Sequence, residues 1–250
     1  MSFNVIKEFE EKVAEFFGAP YAIAIDSCTH GIEICLRYLE ATEISVPKRT
    51  YISVPFLADK LNIDLKWRDE EWVDYYYLTD DVIDAAVLWK KDSYIPNTFM
   101  SVSFQFRKHL SLGRGGIILT DNKEAAEELK KMSYDGRLPD IPWRDQDISR
   151  MGYHYYMTPE TAQLGLDKLE DAINTKPHQW VVTDWPDLTE MSVFKENFEL
   201  WSVVTDDTGV YPLFLEDRGD FDELYVKFKE NDNTIITDTK GNIKESHFKI

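Results

Sequence analysis

The sequence predicts a three-layer α/β/α sandwich with a mostly parallel sheet, followed by a small β-rich C-terminal region. Two observations carry this. Strand-like and helix-like patterns alternate from the N-terminus to about residue 175. From residue 176 onward the chain becomes a series of short β-like runs separated by turn residues. The expected division is a major domain over residues 1–175 and a small domain over 176–250.

Residues 3–17 place Phe3, Ile6, Phe9, Val13, Phe16 and Phe17 at three-to-four spacing, an amphipathic helix that Gly18 ends. YAIAID (21–26) reads as a buried strand and residues 29–42 as a helix with Ile32, Leu36 and Leu39 on one side. ISVP (44–47) is a strand end and 52–61 a short helix, while the acidic, aromatic stretch 68–81 gives no assignment. VIDAAVLW (82–89), MSVSF (100–104) and GGIILT (115–120) are strands by their apolar and β-branched content. Residues 121–132 are a helix with Asp121 as N-cap, its acids early and its lysines late, as the helix dipole favours. Residues 158–173 form another, with Thr158 as N-cap and Pro159 at the first position. QWVVTDW, FELWSVVTD, VYPLFLED, ELYVKFKE and NTIITDTKGN are the β-like runs of the C-terminal region.

Composition removes several function classes. A hydrophobic fraction of 43% describes an ordinary globular chain, and a formal charge of -18 has no basic footprint for nucleic acid. An anionic ligand has to be caught by local amides and a few placed cations. No apolar run is long enough to span a membrane, and the N-terminus does not read as a signal peptide, so no membrane partner is expected. Cys28 and Cys35 share one helical face, where they form no bridge, and this suits a reducing cytoplasm. The five histidines have no metal-ligand spacing.

Three segments can carry chemistry. DSCTHG (26–31), between a strand and a helix, leaves amides free for a phosphate; the plain alternative is a helix cap. Asp84 stands alone among apolar residues at a strand end and needs a partner, either a structural cap or salt bridge or a protonated ring nitrogen. SFQFRKHLSLGRGG (103–116) puts Lys108 five residues after Ser103 and before Gly113, Gly115 and Gly116. By itself that is an exposed basic turn; with glycines allowing close backbone approach it is also a place to hold a lysine against a flat ligand.

The order of these segments resembles the DegT/StrS-type sugar aminotransferases, pyridoxal 5'-phosphate (PLP) enzymes of fold type I, over about residues 8–170. Residues 9–39 are similar to that family's opening helix, strand, Ser-Gly-Thr turn and helix. VPKRTY is similar to its Pro-x-x-Thr-aromatic segment, IDAAV to its Asp-x-Ala-Gln segment, and the lysine stretch to Ser-Phe-x3-Lys-x4-Gly-Glu-Gly-Gly. GYHYYMTPETAQLGLDKL is similar to its Asn-Tyr-Arg-Met segment and following helix. The resemblance implies that Lys108 forms an imine with PLP and shuttles the proton. Asp84 holds the ring nitrogen protonated, and Tyr51 stacks on the ring. Amides at Cys28 and Thr29, with the Thr29 and Ser103 hydroxyls, bind the phosphate. His154 reaches a neighbouring subunit's cofactor, which implies a homodimer. The implied reaction moves an amino group from an amino acid, glutamate by expectation, to a nucleotide-linked keto-sugar.

The pattern is broken at several places. Cys28 stands for the turn glycine, Val87 for a glutamine that touches the cofactor, Arg114 for a glutamate, and His154 and Tyr156 for an asparagine and an arginine. About one strand–helix unit is missing between Tyr51 and Asp84, and the C-terminal region is unlike the family's small domain. Two alternatives therefore stand beside transamination. One is PLP- or PMP-dependent sugar dehydration, whose enzymes carry His-His where this chain has Lys108-His109. The other is a degenerate homologue with a binding or structural role.

Overall fold

The computed structural model describes residues 3–195 and, as backbone strands, 200–205, 209–214 and 234–236. Contacts divide it into two units, Met1–Pro186 and Asp187–Ile250, so residues 176–186 make their contacts within the first.

In the first unit the elements run α1 (Asn4–Phe17), β1 (Tyr21–Ile25), α2 (Cys28–Tyr38), β2 (Glu43–Pro47), α3 (Phe56–Leu61), β3 (Asp64–Arg68), β4 (Tyr76–Tyr77) and β5 (Val82–Asp84). They continue with β6 (Phe99–Ser103), β7 (Gly116–Thr120), α4 (Lys123–Ser133) and α5 (Pro159–Asn174). Five strands form one sheet in the order β1-β7-β6-β5-β4, and β2 pairs with β3 alongside. Alternate residues of one strand enter opposite cores, as a pleat dictates. Ala24, Ile117 and Leu119 pack with α1 and α5. Ile23, Ile25 and Ile118 pack with α2, α3 and α4. These two cores make the three expected layers.

The sheet is mixed, where the alternation predicted it mostly parallel. β5–β6 and β2–β3 are parallel; β1–β7, β6–β7 and β4–β5 are antiparallel. The reason lies in the connections. A parallel pair needs a crossover of roughly a dozen residues or more, whereas β4 turns straight into β5 and the lysine loop folds back as a hairpin. In that loop Phe104 donates to the Gly115 carbonyl at 2.9 Å and Phe106 to that of Gly113 at 3.0 Å. No α-helix lies between β3 and β5, in keeping with the missing strand–helix unit.

Local corrections follow the same physics. Gly18, at φ 74°, ends α1 as expected, and Ala19 donates to the Ala14 carbonyl at 2.9 Å. Asn122, not Asp121, caps α4, because the Asp121 carboxylate accepts from the Asn97 amide. Thr158 caps α5 as expected. Residues 85–89 leave the strand expected over 82–89. QWVVTDW forms no strand; its Val182–Asp184 stretch is a 3-10 turn. In the second unit β8 (Leu200–Thr205), β9 (Gly209–Phe214) and β10 (Thr234–Ile236) pair antiparallel. ELYVKFKE lies outside the described residues. No helix among the described residues is long and apolar enough to cross a membrane.

The outer edge of β1 is covered by side chain and loop. Buried Glu10 of α1 accepts from the Ala24 amide at 2.9 Å and from the Lys130 ammonium of α4 at 2.7 Å, and the Asp26 amide donates to the Tyr155 carbonyl. Burial raises the Glu10 carboxyl above its ordinary value, and Lys130 pulls it back. A raised carboxylate binds its proton more tightly when folded, so its contribution is lost as pH climbs past the ordinary glutamate range. Lys130→Met is expected to cost about 3 kcal/mol near neutral pH and clearly less at pH values around 4, read from urea unfolding at both.

Candidate active site

The lysine loop begins where β6 ends. Ser103 is the last residue of β6, and its hydroxyl accepts from the Gln105 amide at 3.3 Å. A turn follows in which the Lys108 amide donates to the Gln105 carbonyl at 2.8 Å, and Gly113, at φ 81°, bends the chain back toward β7. Lys108 thus leaves the sheet at the C-terminal end of β6, the end at which open α/β sheets bind ligands.

Lys108 and Ser103 line a cavity of about 250 Å³ with Ala86, Val87, Trp89, His109, His178 and Trp180 among their neighbours. The Lys108 ammonium lies 5.1 Å from the centre of the Trp180 ring. It has no hydrogen-bond acceptor and no ion-pair partner among the described residues. Burial lowers the amine below the ordinary lysine range, and the charge of Asp84 draws it partly back. More of it is therefore unprotonated near neutral pH than of a surface lysine. His109 is tethered by its Nε2 to the Ala172 carbonyl at 2.8 Å.

Asp84 ends β5 and is buried. Its Oδ2 accepts from the Tyr76 hydroxyl at 2.5 Å and its Oδ1 from the Ala86 amide at 2.9 Å. Burial raises its carboxyl, opposed by those bonds and by Lys108. Cys28 is the first residue of α2, and its thiol points inward, 3.4 Å from the Ser101 carbonyl and 3.9 Å from Asp84 Oδ1. The Cys28 and Thr29 amides, at the first two positions of α2, have no helical acceptor. β7 closes in on this helix start: a Cβ on Gly116 would lie 2.6 Å from the Cys28 nitrogen.

The structure gathers Lys108, Ser103, Asp84 and Cys28. Thr29 follows Cys28, but its hydroxyl is bonded to Ser53 at 2.7 Å. Tyr51 is 55% exposed and is not part of the cavity lining. The His154 side chain is 72% exposed and sits 3.2 Å from Asp135, also outside the lining. The charge reversal at Arg114 has a local explanation: it pairs at 2.7 Å with Asp26 of the DSCTHG turn, whose other oxygen meets His30 at 2.6 Å. Tyr76 and Trp180 escaped the sequence reading, and Thr50 entered it only as the threonine of VPKRTY, with no role. Tyr76 fell in the unassigned stretch and Trp180 in a presumed strand. No group of three or more His, Cys, Asp or Glu residues among the described residues is placed to hold a metal.

The donor set fits PLP. A desolvated amine without an acceptor, a hydroxyl and two half-buried small side chains (Ala86 and Val87) share one cavity, and a buried carboxylate acts on the amine through its charge. Val87 offers no hydrogen bond where the resembling enzymes have a glutamine.

Comparison with known proteins agrees with this geometry. AtS13 from Actinomadura melliaura superposes with a TM-score of 0.62 at 19% identity, over 69% of this chain and 61% of that one. Spr1654 from Streptococcus pneumoniae, assigned as a sugar aminotransferase and solved in its PLP form, gives 0.57 at 19% identity, over 68% and 60%. At such identities the likeness shows the fold. The uncharacterized protein MJ1066 of Methanocaldococcus jannaschii is 24% identical over 220 aligned residues, 66% of this chain and 56% of that protein. The chain thus spans about three fifths of the length of these relatives. Residues 2–87 and 95–180 match the sequence model of the DegT/DnrJ/EryC1/StrS aminotransferase family, and the chain belongs to that family.

Proposed function

We propose that this chain is a PLP-dependent aminotransferase that moves an amino group from glutamate to a nucleotide-linked keto-sugar, in the cytoplasm and as a homodimer. The observation that carries the reading is the Lys108 amine, desolvated, without an acceptor and placed with Ser103 in one cavity. The family works with PLP, which when bound supplies an electron sink for charge developing on the substrate carbon. Lys108 Nζ anchors the cofactor and carries the proton removed from the donor's Cα. Asp84 pairs with the ring nitrogen and keeps it protonated. The amides of Cys28 and Thr29 and the Ser103 hydroxyl hold the phosphate, with Thr29 giving up its bond to Ser53. Tyr51 covers the ring, and His154 reaches the cofactor of a second copy. Retention of Lys108 favours transamination over dehydration, and Ala172 already engages His109.

Three observations favour the degenerate alternative: the donors on Asp84, the Thr29–Ser53 bond and the chain's reduced length against its relatives. An assay of keto-sugar nucleotide with and without glutamate separates the readings. Amino-sugar formed only with glutamate supports the proposal. Product without a donor means dehydration, and no product with PLP bound means a degenerate homologue.

A further inference from the structure

We propose that Tyr76 is a positioning residue whose hydroxyl, oriented by Thr50, fixes the buried Asp84 carboxylate as an anion. This deepens the function proposed above and rests on it for its link to PLP. β4 places Tyr76 directly opposite Asp84 in the β4–β5 register. The three groups form a buried line: Thr50 Oγ1 to the Tyr76 hydroxyl at 2.6 Å, and that hydroxyl to Asp84 Oδ2 at 2.5 Å. Their exposures of 2%, 4% and 4% leave little room for water to replace any of them. The proton order is fixed by chemistry. An ionised carboxylate only accepts, so Tyr76 donates to Asp84, and the single Tyr76 proton being used, Thr50 donates to Tyr76.

The other groups facing Asp84 do not do this job. Cys28 of α2 is a weak donor at 3.9 Å, and burial pushes its thiol up rather than toward a charge. Lys108, on the loop after β6, acts on Asp84 through its charge with no hydrogen bond. Ala86 serves Oδ1 alone. Without the Tyr76 hydroxyl, Oδ2 has no donor among the described residues, and a buried carboxylate in that state takes a proton. A neutral Asp84 then offers no counter-charge to a protonated ring nitrogen. The antiparallel β4, set by the short turn into β5 that the Leu78 amide closes on the Val82 carbonyl, is what puts Tyr76 there.

The test uses Tyr76→Phe, which keeps the ring that packs 5.0 Å from Trp72, with Thr50→Val as a second variant and Asp84→Asn as background. Without cofactor, urea unfolding is followed from pH 4 to 7.5. The stability lost in Tyr76→Phe is expected to grow as pH rises from acid to neutral, to be smaller in Thr50→Val and to lose its pH dependence in Asp84→Asn. With PLP added, Tyr76→Phe is expected to bind roughly tenfold or more weakly near neutral pH and to recover affinity toward alkaline pH. A loss that is the same at every pH, or whose pH dependence persists in Asp84→Asn, overturns the proposal and leaves Tyr76 a packing residue. Failure of the wild-type chain to bind PLP counts against the function instead, since the cofactor-free arm still reads the Tyr76–Asp84 coupling.

Discussion

Lys108→Ala is expected to lower amino transfer by at least about 10²–10⁴-fold, the range that a positioned acid–base group supplies, and to abolish the absorbance band of lysine-bound PLP. The fold is expected to tolerate the change. The amine is desolvated and has no acceptor among the described residues, so its removal relieves a burial cost, which offsets the contact with Trp180 that is lost, worth about 2 kcal/mol at a desolvated site. An unfolding midpoint that is unchanged or raised, together with lost turnover, separates a chemical role from a structural one. Lys108→Arg is expected to be equally inactive, because a guanidinium keeps the charge but does not give up its proton near neutral pH. Near-wild-type turnover in Lys108→Ala contradicts the assignment.

Phe9→Ala is expected to destabilise the first unit by about 3–5 kcal/mol, the usual cost of emptying an aromatic site in a core. Phe9 is fully buried on α1 and meets Phe104 edge-on at 5.6 Å. A Cβ on Gly165 of α5 would lie 2.5 Å from its ring, so α5 packs directly onto it. Phe104 also clamps the lysine loop, donating to Gly115 and accepting from the Leu112 amide. The cavity left by Phe9 therefore opens beneath that loop, and PLP affinity is expected to fall with stability. Chemical denaturation checks the first effect; a loss under 1 kcal/mol contradicts the packing described.

What could be read from the chain depended on whether a signal was local. α1 and α5 carry their own ends in Gly18 and Thr158. Lys108, Asp84 and Ser103 were legible because their order along the chain matches a known pattern. β3 (DLKWR) alternates exposed and half-buried residues, so it has no apolar run to announce it. The strand expected over 82–89 ends at Asp84, where the Asp84 side chain accepts the Ala86 amide. Tyr76 and Thr50 lie 26 residues apart and meet only because β2 runs alongside the β4 segment, where the Ser45 amide donates to the Leu78 carbonyl, an arrangement that no local periodicity encodes. Trp180 looked like part of a strand, yet Trp185 and Arg49 hold its segment: the rings of Trp180 and Trp185 are 5.3 Å apart, and Arg49 donates to the Trp185 carbonyl.

The central claim is that Lys108 is the amine of a PLP site. Borohydride reduction of the PLP-treated chain, followed by peptide mass analysis, tests it most directly. A pyridoxyl adduct is expected on the peptide that contains Lys108. No adduct, or one confined to other lysines, would contradict it.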